Sequence, residues 1–373
     1  MSHIVVSITH SARLQGGFTT KQLFSFLFVC FCLFTTVSEA SASSRIFFLF
    51  SDLADPFSSQ LRAALETYLA ESDSDPWFSD AKGSLWTQMD QVEDAIESGA
   101  DLVCIQTCEY ASLSAANQLL TPLESAGIPV IFFGRSIAGS EEKLLRFLSQ
   151  HPACLYVNHD SEDIGRVQGK AIGEYLCAHY SDCDLNSDGI ISYVMLQGDP
   201  FDTDAVNRSH YALETANEVL TASAHPPLQW YDGSDTIALA DPQCFWSADF
   251  GKKTISDILR SFGPASGHMI ELIICGNDDM ANGCINALFH VDYNTDVPGD
   301  PRIPVFGVDG TLLAFELIEK ERMTGTVMRS PDHMAQALIS GISLLMHGTP
   351  IVSEGLRTSG SCIFPAYAYC GNP

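Results

Sequence analysis

The sequence predicts an α/β protein built on parallel sheets, and three observations carry that expectation. Short apolar, β-rich runs alternate with longer stretches of helical spacing from Arg45 onward. Most of these runs lack two-residue alternation, as strands covered on both faces do. No internal repeat of about 20 to 50 residues and no low-complexity tract interrupts the pattern, which removes solenoids and propellers. A chain of 373 residues is long enough for two domains or one large α/β domain.

The elements follow in order. Arg45–Phe50 is an apolar run read as a strand, and Phe57–Glu71 carries the helical period behind it. Helix Gln88–Gly99, strand Asp101–Thr107, helix Ser112–Gly127 and strand Pro129–Phe133 continue the alternation. Strand Leu155–Asn158 leads into helix Ser161–Tyr180, which Asp160 and Ser161 are placed to start. Strand Ile190–Leu196, helix Asp204–Thr221 and helix Asp249–Phe262 precede strand Glu271–Cys275. Asp278 and Asp279 then open helix Asp279–Phe289. Strand Val305–Val308, helix Thr311–Lys320 and strand Gly325–Met328 complete the set, enough for two layered sheets. Open parallel sheets gather ligands at the carboxyl ends of their strands. The residues there are Asp52, Asp55, Phe57, Gln106, Gly134, Arg135, Asp199, Asn277, Asp309 and Arg329, a polar set without a histidine.

Acids outnumber bases 46 to 19, for a formal charge of −27. Such a chain repels phosphate backbones and acidic headgroups, so a nucleic-acid or polyanion binder is disfavoured and a neutral ligand or a cation suits it better. At the amino terminus, Arg13 and Lys21 precede the apolar run Leu23–Val37 and the small-residue stretch Ser38–Ala42. This order reads as a secretory signal peptide over residues 1–42, cleaved after Ala40 or Ala42. Export permits disulfides among the remaining cysteines, and Cys177 with Cys183, or Cys362 with Cys370, are spaced to close small rings. Cys104, Cys275 and Cys284 lie in apolar stretches as buried small hydrophobes. No CxxC pair supports a redox or zinc function.

Residues 184–192, DLNSDGIIS, place oxygen side chains at the first, third, fifth and ninth positions of a turn with Gly189 sixth. Asp184, Asn186, Asp188, the Ile190 carbonyl and Ser192 match most of an EF-hand calcium loop. Met195 stands where the closing glutamate would be, so the missing carboxylate must come from elsewhere; Glu271 is the candidate. An Asx-rich turn without metal is the plain alternative.

Six blocks in fixed order carry a resemblance: VNHDSEDIGRVQG from Val157, DLNSDG from Asp184, YVMLQGDP from Tyr193, GNDDMANG from Gly276, IPVFGVDG from Ile303 and TGTV from Thr324. Over Arg45 to Gly348 the chain resembles the exported hexose-binding proteins of the periplasmic binding protein type I fold, in particular the galactose/glucose-binding kind with a calcium loop. The resemblance implies two lobes, each a parallel sheet with helices on both faces, joined by a multi-strand hinge. The expected lobes are 44–134 with 330–357, and 135–329 with 358–373. It implies a structural calcium ion closed by Glu271, with Ser192 in place of the family's glutamine. It implies a monosaccharide held between Phe57 and Trp246, with Asp55, Asp204, Arg208, Asn277 and Asp309 on its hydroxyl rim. Three positions depart from the family: Gln106 and Arg329 replace asparagines, and Asp202 replaces a histidine. Arg329 could therefore pair with a carboxylate, or meet an acidic group on a modified sugar.

The expected role is that of a periplasmic or extracellular monomer, not an enzyme, which delivers a glucose- or galactose-like sugar to an ABC-type permease or a chemoreceptor. Two alternatives are a sensor partner of a histidine kinase binding a sugar acid, and an exported α/β enzyme. The sequence has no GxSxG turn, HExxH pair or glycine-rich phosphate loop to support the last.

Overall fold

The computed structural model describes residues 43–348 apart from 71, 244–245, 264 and 266–269, together with the backbone of 356–359, 362–365 and 367–371. The expected signal peptide, 1–42, lies outside the described residues, and among those described no helix is long and apolar enough to cross a membrane.

The first sheet begins with strand β1 (Ser44–Phe50), helix α1 (Pro56–Leu69), β2 (Ser74–Asp80), α2 (Leu85–Glu97) and β3 (Leu102–Ile105). It continues through α3 (Leu113–Ser125), β4 (Val130–Phe133), α4 (Glu141–Gln150) and β5 (Cys154–Val157). The chain then crosses to a second lobe of α5 (Ser161–Cys183), β6 (Ser192–Gln197), α6 (Thr203–Ala222), β7 (Gln229–Trp230) and β8 (Leu239–Ala240). The second lobe goes on with α7 (Ala248–Phe262), β9 (Leu272–Cys275), α8 (Asp278–Phe289), β10 (Val305–Asp309), α9 (Leu312–Glu319) and β11 (Gly325–Arg329). Helix α10 (Pro331–His347) returns to pack on α1 and the first sheet, followed by β12 (Leu356–Ser359) and β13 (Cys362–Pro365); β14 (Tyr367–Gly371) crosses back.

The sheet orders are β12-β13-β5-β4-β3-β1-β2 and β14-β11-β10-β9-β6-β7, with β8 also beside β6. All pairs are parallel except β12 with β13 and β11 with β14. The α/β expectation of two parallel sheets flanked by helices holds. The lobe boundaries differ from those expected. Residues 135–157 belong to the first lobe, because the fully buried run Cys154–Val157 pairs with β4 from Val130↔Cys154 to Phe133↔Val157. Cys362–Pro365 also joins the first sheet, beside β5, whereas it was assigned to the second lobe.

Apolar residues at every position of β1 from Ile46 to Phe50 explain its missing alternation. Phe47 and Leu49 enter one core layer, while Ile46, Phe48 and Phe50 enter the layer beneath α1 and α10. Each of the ten helices described starts on an Asp, Asn, Ser or Thr whose side chain accepts a backbone N–H of the first turn. Cys177 and Cys183 are free thiols, so their suggested ring is not formed. Both lie on α5, on either side of the break in helical backbone at His179 (φ −125°, ψ 23°). Cys362 and Cys370 fall in strands of different sheets, and their side chains lie outside the described residues.

Candidate functional site

The carboxyl ends of both sheets face a cleft with two adjoining compartments, of about 450 Å³ and about 90 Å³. Together they fall within the ~300–1,000 Å³ usual for small-molecule sites. All ten expected ligand residues line the smaller compartment: Asp55, Phe57, Gln106, Asp202, Asp204, Arg208, Trp246, Asn277, Asp309 and Arg329.

Helix starts supply several of them. Asp55 Oδ2 accepts from Ser58 N at 2.8 Å, Asp202 Oδ1 from Asp204 N at 3.0 Å and Asn277 Oδ1 from Met280 N at 2.9 Å. Their helix amino termini therefore point at the cleft, with partial positive charge among the carboxylates. Asp309 does not cap α9; Thr311 does, accepting from Ala314 N.

Trp246 takes its place from two glycines. Its ring lies so close to Gly198, at the end of β6, that a Cβ there would fall 1.9 Å from the indole; a Cβ on Gly276, after β9, would fall 3.2 Å away. The Trp246 carbonyl accepts from Asn277 Nδ2 at 3.0 Å, and its backbone stands at φ 54°. Non-glycine residues in such conformations cluster at ligand clamps; Asp309, at φ 125°, is a second one here. Arg208 is positioned by helix packing. Gly165 of α5 lets α6 approach until a Cβ would be 2.6 Å from the Arg208 carbonyl.

Every arginine lining the cleft lies over one of its three aromatic rings: Arg329 over Phe57 at 4.7 Å, Arg208 over Trp246 at 5.1 Å and Arg135 over Tyr110 at 4.5 Å. Arg329 is further engaged by Asp309, whose Oδ1 accepts Nε at 2.7 Å and meets Nη2 at 2.5 Å. The pair expected from the departures in sequence is thus Arg329 with Asp309, not with Asp202. Gln106 is turned into the wall, its Oε1 accepting from Ser51 Oγ at 3.0 Å and its Nε2 donating to Ser58 Oγ at 3.0 Å. Asp204 Oδ2 accepts from Asn158 Nδ2 at 3.0 Å, across the first lobe crossing.

Burial, then the neighbouring Asp204 charge, raises the Asp202 carboxyl to about 7 against the pull of Arg208. A carboxyl at that value presents both a donor and an acceptor near neutral pH. Burial also raises Asp309 and lowers Arg208. Sequence reasoning missed Tyr110, which follows a strand end by several residues and lines both compartments; His159, in the lobe crossing, packs edge-on against Phe57 outside that lining. Arg135 was noted as a strand-end residue but not assigned to the site.

The oxygen-rich loop is a separate feature. Asp184 accepts from Asp188 N and Gly189 N, Asn186 from Asp188 N, and Asp188 from Ile190 N. Pairing of β9 with β6, Tyr193↔Leu272, brings the fully buried Glu271 alongside. Its Oε1 accepts from Asn186 N at 3.2 Å and its Oε2 from Ser192 N at 2.9 Å and Ser192 Oγ at 3.2 Å. The all-oxygen donor set, three carboxylates and an amide, fits a hard divalent cation by type. The carboxylates here serve the loop amides, and among the described residues no three acidic, histidine or cysteine groups meet at metal-binding spacing.

A D-galactose/methyl-galactoside binding periplasmic protein of Haemophilus influenzae is 28% identical to the chain over 279 residues, 75% of this chain and 74% of that protein. An ABC transporter solute binding protein from Clostridium phytofermentans, solved with bound β-D-glucose, superposes with a TM-score of 0.66 at 19% identity, over 88% of this chain and 94% of that one. A periplasmic solute binding protein from Actinobacillus succinogenes with bound D-allose gives 0.66 at 18% identity, over 88% and 98%. The model of the periplasmic binding protein domain matches residues 46–349, and the chain belongs to that family.

Proposed function

We propose that this protein is a periplasmic receptor that captures a neutral hexose between its lobes and presents it to an ABC-type permease. The cleft carries the reading. Flat rings stand among polar groups that can donate to and accept from hydroxyls, the chemistry that suits a pyranose with apolar faces and a polar rim. Six aspartates, Asp52, Asp55, Asp202, Asp204, Asp279 and Asp309, outnumber the three arginines in its lining. Each guanidinium already lies on a ring, and Arg329 is held by Asp309, so a neutral sugar is favoured over a sugar acid. The relatives named for D-galactose, or solved with β-D-glucose or D-allose, support a hexose of the glucose or galactose kind. The two solved proteins are solute binding proteins of ABC transporters, and capture and presentation require no covalent step.

Calorimetric titration with D-glucose, D-galactose and D-allose is expected to give heat for at least one of them. Trp246→Ala should weaken that binding by about 1–3 kcal/mol through lost apolar contact. No heat with any neutral hexose would count decisively against this function.

We also propose that loop 184–192 holds a structural calcium ion through Asp184, Asn186, Asp188, the Ile190 carbonyl and Glu271, with Ser192 at its edge. Metal bound only by the native state stabilises it by mass action. Glu271→Gln is therefore expected to lower the melting temperature far more in calcium than in chelator, where only its hydrogen bonds to the loop amides are disturbed. Equal losses in the two buffers would exclude the ligand role.

A further inference from the structure

The ten expected ligand residues gather at one end of the cleft. All of them line the compartment of about 90 Å³, yet the compartment beside it measures about 450 Å³, by itself within the ~300–1,000 Å³ usual for small-molecule sites. The two share Phe57, Trp246, Asn277, Asp309 and Arg329, so a ring seated between Phe57 and Trp246 opens directly on the larger space. Both lobes build the part that is not shared. Asp52, ahead of α1, and Gln60, one turn beyond Phe57 on α1, come from the first lobe; Ser247, Asp279 and Thr311, each at a helix start, come from the second. Among the described residues, this part adds no lysine, arginine or aromatic ring to those of the smaller compartment. Carboxylates without a new cation repel a phosphate or an acid, and the lack of a further flat ring removes the platform an aryl group would use. The Gln60 and Asp279 side chains have no hydrogen-bond partner among the described residues. Burial, then the Asp309 and Asp55 charges, raise the Asp279 carboxyl, which therefore gains from donors that bring no negative charge. An amide that donates and accepts, facing the same space as a carboxylate, suits neutral hydroxyl groups.

We propose that the larger compartment is a subsite for a second sugar ring: the guest is a neutral glycoside whose hexose lies between Phe57 and Trp246 and whose next unit meets Gln60 and Asp279. The inference rests on the sugar-binding reading above and enlarges its ligand from a free hexose to a hexoside. Gln60 belongs to the first lobe and Asp279 to the second, so the second ring, like the first, is gripped from both sides.

The test is calorimetry of wild type, Gln60→Ala and Asp279→Asn with D-glucose, D-galactose, lactose, melibiose, maltose and cellobiose. These disaccharides present galactose or glucose through both α and β linkages. At least one is expected to bind about tenfold tighter than the free hexose it presents, the worth of one further hydrogen bond. Gln60 is exposed, so its truncation leaves the fold in place. Gln60→Ala should lose most of that tenfold gain for the disaccharide and hold the free hexose within about twofold of wild type. Asp279→Asn should weaken the disaccharide more than the free hexose. Binding of a free hexose with rejection of all four disaccharides overturns the subsite and leaves the sugar reading intact, the larger space then being only the mouth through which a hexose enters. Equal losses for hexose and disaccharide in both variants overturn the placement of the second ring. Absence of binding by the wild type to the whole panel overturns both readings.

Discussion

A Gly198→Ala protein is expected to fold and to lose hexose binding by at least about 100-fold, close to 2.8 kcal/mol. The new methyl carbon would fall 1.9 Å from the Trp246 indole, whose six-membered ring is also backed by Gly276 at the end of the neighbouring strand. A fused bicyclic ring cannot yield the way the tip of a flexible chain does, so Trp246 must leave its seat. Its departure removes the platform proposed for the sugar and breaks its contact with Arg208, 5.1 Å above it. Calorimetry measures the loss, and circular dichroism checks that the sheet persists. Unchanged affinity in Gly198→Ala would show that the indole is not the platform.

Asp309→Ala is expected to act on both stability and selectivity. Arg329 and Asp309 side chains are only 17% and 15% exposed, and deleting one partner leaves a largely buried guanidinium unpaired, at a cost of about 1–3 kcal/mol. The melting temperature should fall accordingly. Binding of D-glucose should drop about 100-fold, because a charged acceptor on the hydroxyl rim is gone and such bonds contribute about 1.5–3 kcal/mol each. Arg329, released, should give the cleft its first measurable affinity for D-glucuronate. If D-glucose binding is unaltered and D-glucuronate remains excluded, the ion pair does not govern selectivity.

Much of this was legible in the sequence, for identifiable reasons. The buried strands are continuous apolar runs, and nine of the ten expected ligand residues sit at or beside strand ends or helix starts, where parallel topology gathers them; Arg208, in the second turn of α6, is the exception. What was missed had weaker signals. Edge strand β2 reads SDPWFSD, half-exposed and interrupted by Pro76, without an apolar run. Helix α4 buries only Phe147 and Leu148. Helix α10 does carry a start signal, Ser330 followed by Pro331, beyond the last strand expected from the sequence. The expected boundary at residue 135 puts strand Leu155–Asn158 in the second lobe; only strand pairing, here with β4, shows which lobe a short apolar run joins. Within the cleft, the stacking of guanidiniums on rings and the engagement of Arg329 by Asp309 depend on rotamers that no spacing rule encodes.

The helix starts bear on how this binding site could diverge in evolution. Asp55, Asp202, Ser247, Asn277 and Thr311 all border the cleft and all begin helices. Only short side chains bearing an oxygen fill such positions well, and an alanine there costs about 0.5–2 kcal/mol before any sugar is considered. Descendants that acquire new sugars are therefore drawn at these five places to a short alphabet of Asp, Asn, Ser and Thr, with Gly the one other residue at little cost. Larger novelties must arise at positions free of that duty, such as Arg135, Arg208 and Arg329.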